Sequence, residues 1–220
     1  MGDYLWLRTT IDGAVLPADP ATLLRAATAR PLLIGTNAFE LDLPGGRGMR
    51  DAFLARSYGS AEPGARALYG IKGGDPAPDP RLGDVNQRIA TDATFACPAQ
   101  RFAAIAAARG AAVWYLFDVG TKGGMTAHSR ELPYVFGDAR LPAVDMQRMW
   151  ASFVATGSPD GGWPRFPARE RFDAAGAHAE PARPSPLLRP GRIRRDDRSP
   201  AYLECSGRDA VYRPADAGRR

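Results

Sequence analysis

Two residues on two short loops could do acid–base chemistry together. His128, one of only two histidines in the chain, follows the apolar run VWYLF within the stretch GMTAHSRELPYVFG, residues 124 to 137. Glu40 closes the stretch GTNAFE, which follows the apolar run PLLI. A neutral imidazole serves as a general base when its second nitrogen is held by an acceptor that also stabilises the imidazolium. Glu40 could supply that acceptor, although the two lie 88 positions apart (128 minus 40), so only the fold can join them. A nucleophile is harder to find. A serine nucleophile can be presented on a sharp strand-to-helix turn, G-x-S-x-G, and the chain has no such motif. Ser57 and Ser60 lie in RSYGSAEPG, in no strand-turn-helix context, and Ser129 is directly beside His128. Taken alone, His128 fits a satisfied loop histidine as well as a base, and Glu40 fits a helix-capping carboxylate.

The elements around these loops decide whether they can meet. Asp19 is placed to cap a helix over ATLLRAATAR, with Pro20 at the first helical position, where its missing N–H costs nothing. PLLIGTN then reads as a buried strand running into a loop, and AAVWYLFDV as a second one. Between them, residues 44 to 84 are rich in Gly, Pro and Asp, with a helix expected at MRDAFLARSYG. A helix from Asp84 through Phe95 and another from Pro98 to Gly110 follow. LPAVDMQRMWASFVATG is the clearest helix, its Val144, Met149, Trp150 and Phe153 mostly on one face and Gly157 where a helix stops. Strands joined by helical crossovers make an α/β fold with parallel strands and flanking helices. In such sheets the loops at the carboxyl ends of strands carry the chemistry, and Glu40 and His128 stand on two of them.

The totals narrow the function classes. The net charge of +5 suggests nucleic acid, but 27 of the 29 basic residues are arginine, in a chain that also uses Ala, Gly and Pro heavily. Its densest basic run, RPGRIRRDDR, is broken by Asp196 and Asp197 and has no interleaved aromatics to stack bases. It reads as a solvated loop, so no nucleic-acid partner is expected. No apolar run approaches the ~20 residues of a membrane span. The start, MGDYLWLRTT, shows no signal peptide, and the cellular location stays open. Cys97 and Cys205 have no metal-ligand spacing and are expected as buried free thiols. His178 in AAGAHAEPARP reads as a loop residue without a partner. Glu131 reads equally as an orienter of the His128 loop or as half of a structural ion pair.

Several segments together resemble one family. RPLLIGTNAFE resembles the part of type-B carboxylesterases (para-nitrobenzyl esterases and cholinesterases) in which a strand, Gly and Asn lead to the catalytic acid. FACPAQRFAAIAAARGAAVWYLFDV is similar to the helix and strand that precede the family's histidine. AHSRELPYVFG matches its His-x-x-Glu-Leu/Ile-x-x-Val/Leu-Phe-Gly loop, MWASFVATGSPDGGWPRFP its helix with Gly-x-Pro and Trp-Pro, and IDGAVLPADP its Asp-Gly…Leu-Pro segment. These five segments, in the family's order, span residues 10 to 167. The resemblance implies the C-terminal part of an α/β-hydrolase fold across residues 1–220, with a poorly matched, loop-rich tail at 170–220. It implies Glu40 and His128 as acid and base of a Ser-Glu-His esterase triad, needing no cofactor or metal and acting on a small carboxylic ester. The family's N-terminal half of the sheet, with the nucleophile and the glycine-rich oxyanion loop, would precede Met1. The 220 residues alone are therefore expected to be inactive, with a separately encoded N-terminal half as one partner. The alternative is a non-catalytic remnant or interaction module.

Overall fold

The computed structural model describes residues 10–42, 45–120 and 124–181. Helix α1 (Pro20–Ala26) starts where the sequence places it: the Asp19 carboxylate accepts the amides of Ala21 and Thr22, and Pro20 occupies the first turn. Strand β1 (Leu32–Asn37) leads into a long crossover of α2 (Gly46–Tyr58), α3 (Glu62–Leu68), α4 (Val85–Thr91) and α5 (Cys97–Ala107). Asp84 and Gln87 close a reciprocal capping box on α4, satisfying amides that would otherwise lack partners. The sequence suggests two helices here, broken before Pro98. Instead a single π turn, Asp92–Ala96, joins α4 to α5 without a break, and Pro98 stands at the start of α5.

The crossover returns to β2 (Ala112–Asp118), which pairs in parallel with β1 from Leu32↔Ala112 to Asn37↔Phe117. Their close approach needs glycine at position 35, since a Cβ there would collide with the Tyr115 ring. Alternate β2 side chains then serve two faces. Val113, Tyr115 and Phe117 enter the main core with Trp163 and Phe172, under α6 (Leu132–Phe136) and α7 (Met146–Thr156). Phe117 and Phe172 are fully buried, each contributing about 1.5–3 kcal/mol. Met149, Trp150 and Phe153 of α7 pack on this core, and Gly157 ends the helix at φ 76°, a left-handed conformation that suits glycine. On the opposite face α5 covers β1 and β2. A smaller core of Leu54, Ala65, Tyr69, Val85 and Ile89 holds the crossover helices together.

The sheet continues where the sequence reads as loop. β3 (Arg169–Asp173) pairs in parallel with β2, and β4 (Gly176–Glu180) antiparallel with β3, giving the order β1-β2-β3-β4. RERFD and GAHAE show little apolar alternation, so no strand signal is visible in them. Ion pairs hold them instead: Arg171 reaches the buried Asp118 at 2.5 Å and Glu180 at 2.8 Å, Arg169 reaches Glu180 at 2.6 Å, and Arg81 also pairs with Asp118. The strand-like segment AYLECSGRDAVYR lies outside the described residues. Cys97 departs from the expected free thiol. It is buried and disulfide-bonded, while Cys205 lies outside the described residues.

Candidate active site

Because β1 and β2 are parallel neighbours, the loops leaving their carboxyl ends emerge side by side. The structure uses this to bring Glu40 and His128 together, with His128 Nδ1 2.6 Å from Glu40 Oε2. A carboxylate only accepts, so Nδ1 carries the proton, and in the neutral imidazole Nε2 then keeps its lone pair. Glu40 is buried with its side chain 4% exposed, whereas His128 is half exposed at 49%. The acid is thus shielded from water, where its hydrogen bond is electrostatically stronger, and the base faces outward. Among the described residues, no hydrogen bond occupies Nε2.

The buried carboxylate is supported on every side. Its Oε1 accepts the backbone N–H of Asn37 at 2.7 Å, and Oε2 also takes Asn37 Nδ2 at 3.3 Å. Asn37 Nδ2 further donates to Glu131 Oε2 at 2.8 Å. One amide thus lies between two carboxylates, which fixes its orientation, because turning Oδ1 toward them would oppose two acceptors. Glu131 therefore acts on the neighbouring loop through Asn37, and no ion pair at Glu131 exists among the described residues. The Glu40 backbone N–H donates to Thr91 Oγ1 at 3.0 Å, tying the loop to the last turn of α4. Phe95, on the π turn, lies against the imidazole with ring centroids 5.1 Å apart and planes inclined by 50°. The fully buried Thr126 anchors the loop two residues before His128, and Val135 of α6 anchors it afterwards.

Local electrostatics follow from burial. Tyr115 lies under the site on β2, and burial, reinforced by the charges of Glu131 and Glu40, pushes its hydroxyl above the usual range. Asp92, one residue past Thr91, accepts the Tyr69 hydroxyl at 3.0 Å. Burial raises its carboxyl, against that hydrogen bond and the Arg88 charge. A cavity of about 230 Å³ near Thr36, Thr91, Asp92 and Trp114 borders neither Glu40 nor His128. Among the described residues no cluster of three or more His, Cys, Asp or Glu is arranged to hold a metal.

His178 lies far from this arrangement, on β4, with Nε2 3.1 Å from Asp173 Oδ2. The expectation that it has no partner does not hold: pairing with β3 places Arg171, not Asp173, opposite it, yet its ring still reaches the Asp173 carboxylate. Asn37, Thr91 and Phe95 were not legible as site residues. The available signal was Asn37 three positions before Glu40, a spacing at which an Asn side chain reaches local groups. Thr91 and Phe95 are four apart on a helix, hence on one face.

Solved structures share this arrangement of strands and crossover. Two structures titled PNB esterase (para-nitrobenzyl esterase) superpose with a TM-score of 0.58, at 24% and 25% sequence identity, over 77% of this chain. The fold is type-B carboxylesterase-like. It is a partial α/β-hydrolase fold, for the chain spans only 40% of the length of those esterases. No protein-family model matches the sequence, and neither does any curated protein. In this esterase-like fold, the Glu40–His128 pair stands on the carboxyl rim of the sheet, where ligands of open α/β sheets bind.

Proposed function

We propose that Glu40 and His128 are the acid and base of a serine carboxylesterase site, and that polypeptide outside these 220 residues supplies its nucleophile. The observation that carries this reading is the 2.6 Å contact between a buried carboxylate and a half-exposed imidazole whose Nε2 stays open. The esterase-like fold supports it. In the proposed reaction a serine hydroxyl approaches Nε2, and His128 takes its proton as the oxygen attacks the ester carbonyl. Glu40 keeps the proton on Nδ1 and stabilises the imidazolium without becoming protonated. His128 then returns its proton to the leaving alcohol, and water attacks the acyl-enzyme by the same route.

β1 is the edge where the completing polypeptide would dock. Among the described residues it is a terminal strand of the sheet, and its sequence LLIGTN carries no charged residue. An added parallel strand ending in a nucleophile turn would deliver a serine to the rim beside His128.

The test is hydrolysis of a short-chain aryl ester by the chain alone and by the chain co-expressed with a polypeptide bearing a G-x-S-x-G turn and an oxyanion loop. The chain alone is expected to match its His128→Ala variant, because nucleophile and oxyanion hole are both lacking. The completed protein is expected to turn over and to lose activity on His128→Ala. A product burst from the chain alone, with phosphonate labelling, would show a nucleophile within the 220 residues. A second reading, a non-catalytic interaction module, is favoured by the absence of G-x-S-x-G from the sequence. It gains if the completed protein binds tightly yet leaves the ester intact.

A further inference from the structure

The face of the α4–π–α5 helix that carries Thr91 and Phe95 touches both members of the pair. The Thr91 hydroxyl accepts the Glu40 backbone N–H at 3.0 Å, and the Phe95 ring packs on the His128 imidazole at 5.1 Å. Between them, Asp92 turns the other way and takes the Tyr69 hydroxyl. Glu40 and His128 are carried by two loops, and loops are the more mobile and less cooperative parts of a fold. A rigid helix contacting both loops fixes their separation. Thr91 is buried, so its oxygen would lose more than an exposed contact if left alone.

We propose that Thr91 and Phe95 are positioning residues that set the acid against the base. Thr91 fixes where the Glu40 loop begins its turn toward the imidazole. Phe95 limits rotation of the ring, so that Nδ1 stays on the carboxylate while Nε2 points outward. Neither side chain takes or gives a proton in the reaction. This inference rests on the dyad geometry used in the proposed esterase reading, but it concerns the dyad rather than turnover.

The chain holds only two histidines, so the test can be read without an ester substrate. In the ¹⁵N-histidine-labelled 220-residue chain, the Nδ1–H proton held by Glu40 is expected as a low-field resonance with slow solvent exchange, and His178, paired to Asp173, serves as internal reference. Thr91→Val and Phe95→Ala are each expected to speed exchange of the His128 proton by about 10-fold or to broaden it away, with the His178 signals unmoved. Thr91→Ser and Phe95→Tyr, which retain the hydroxyl and the ring, are expected to restore the parent spectrum. Thermal unfolding accompanies each variant, and Asp92→Asn, on the same helix but facing away, controls for general loosening. An unchanged His128 resonance in Thr91→Val and Phe95→Ala would overturn the proposal. So would equal loss in the conservative variants or in Asp92→Asn. A parent chain with no held Nδ1 proton would overturn it together with the dyad. In protein completed with a nucleophile-bearing partner, Thr91→Val is expected to lower kcat about 10- to 100-fold with little change in KM, the scale of a small misplacement of reacting groups. If that protein proves inactive while the resonance responds as stated, the esterase reading fails and the positioning role stands.

Discussion

The two edges of the sheet are built in opposite ways. β4 is five residues long, antiparallel, and fastened by Arg169 and Arg171 to Glu180, with His178 exposed along it. Short length and charge are how natural proteins blunt an edge against further pairing. β1 is parallel, uncharged, and rich in Leu and Ile, yet at its carboxyl end lie the buried Asn37 and Glu40. One edge is finished by electrostatics, and the other concentrates its polar groups at a single point. On the proposed reading, charge serves structure on one side of this sheet and chemistry on the other.

The largest effect expected to separate the edges is on turnover. In protein completed with a nucleophile-bearing partner, Glu40→Gln is expected to lower kcat by about 10⁴-fold, the loss when a triad acid no longer fixes its histidine. Glu180→Gln should leave kcat within about 3-fold, a difference of well under 1 kcal/mol. Steady-state kinetics on both variants checks this, and equal losses would erase the functional asymmetry.

Hydrogen exchange gives the next contrast. Adding the completing partner at 100-fold excess over its Kd is expected to slow exchange of outward β1 amides by roughly 100-fold, about 2.7 kcal/mol of stabilisation. The outward amides of β4 should gain no more than the rest of the fold. Protection centred on β4 would move the docking edge to the wrong side.

The third contrast concerns stability. Glu180→Gln removes charge from bonds to both Arg169 and Arg171, at an expected cost of about 2 kcal/mol. Thermal unfolding should show it as a fall in Tm of several degrees, with a smaller shift for the exposed-edge variant His178→Gln.

The smallest effect is a matter of sign. Around Glu180 burial works upward, but the hydrogen bonds and charges of Arg171 and Arg169 outweigh it and hold the carboxyl below its usual range. Its stabilisation is present above the unfolded value and is lost as pH falls through the lower folded one. Asp92, on the π turn beside β1, is raised by burial. Its contribution is complete below the unfolded value and is lost as pH rises through the higher folded one. Asp92→Asn should therefore gain on the parent as pH rises from about 4 toward 7, by about 1.4 kcal/mol for each unit of elevation. Glu180→Gln should lose least at acid pH. Denaturant unfolding across that range distinguishes the two, and parallel slopes would refute the opposition.

The same contrast explains what could be read from the sequence. β1, β2 and α7 were legible because apolar periodicity and end signals agree there, as in the Asp19 cap, Gly157 and the run AVWYLFD. The juxtaposition of Glu40 and His128 followed from two strands ending in loops. β3 and β4 were not legible, because RERFD and GAHAE show little apolar alternation and the Arg171–Asp118 pairing that helps to hold β3 joins partners 53 positions apart. Helix periodicity does not reveal a π turn, since Pro98 also marks the start of an independent helix. Thr91 and Phe95 stayed hidden because nothing local in the sequence places their helix face against the Glu40 and His128 loops.

The register of β1 on β2 has a further consequence for how the molecule forms. Leu32 meets Ala112 across 80 positions (112 minus 32), while Asp173 meets Gly176 across three (176 minus 173). The entropy of closing a loop grows with its length, by about 0.6 kcal/mol per doubling, and contacts between distant residues slow folding. The hairpin can therefore zip early, whereas the β1–β2 pair must wait until the crossover has compacted through its own small core and the α4–π–α5 helix. Glu40 and His128 are 88 positions apart and meet only when that wait is over. A probe of their hydrogen bond is thus a clock for the last step of assembly, and refolding followed at His128 should lag refolding followed at His178.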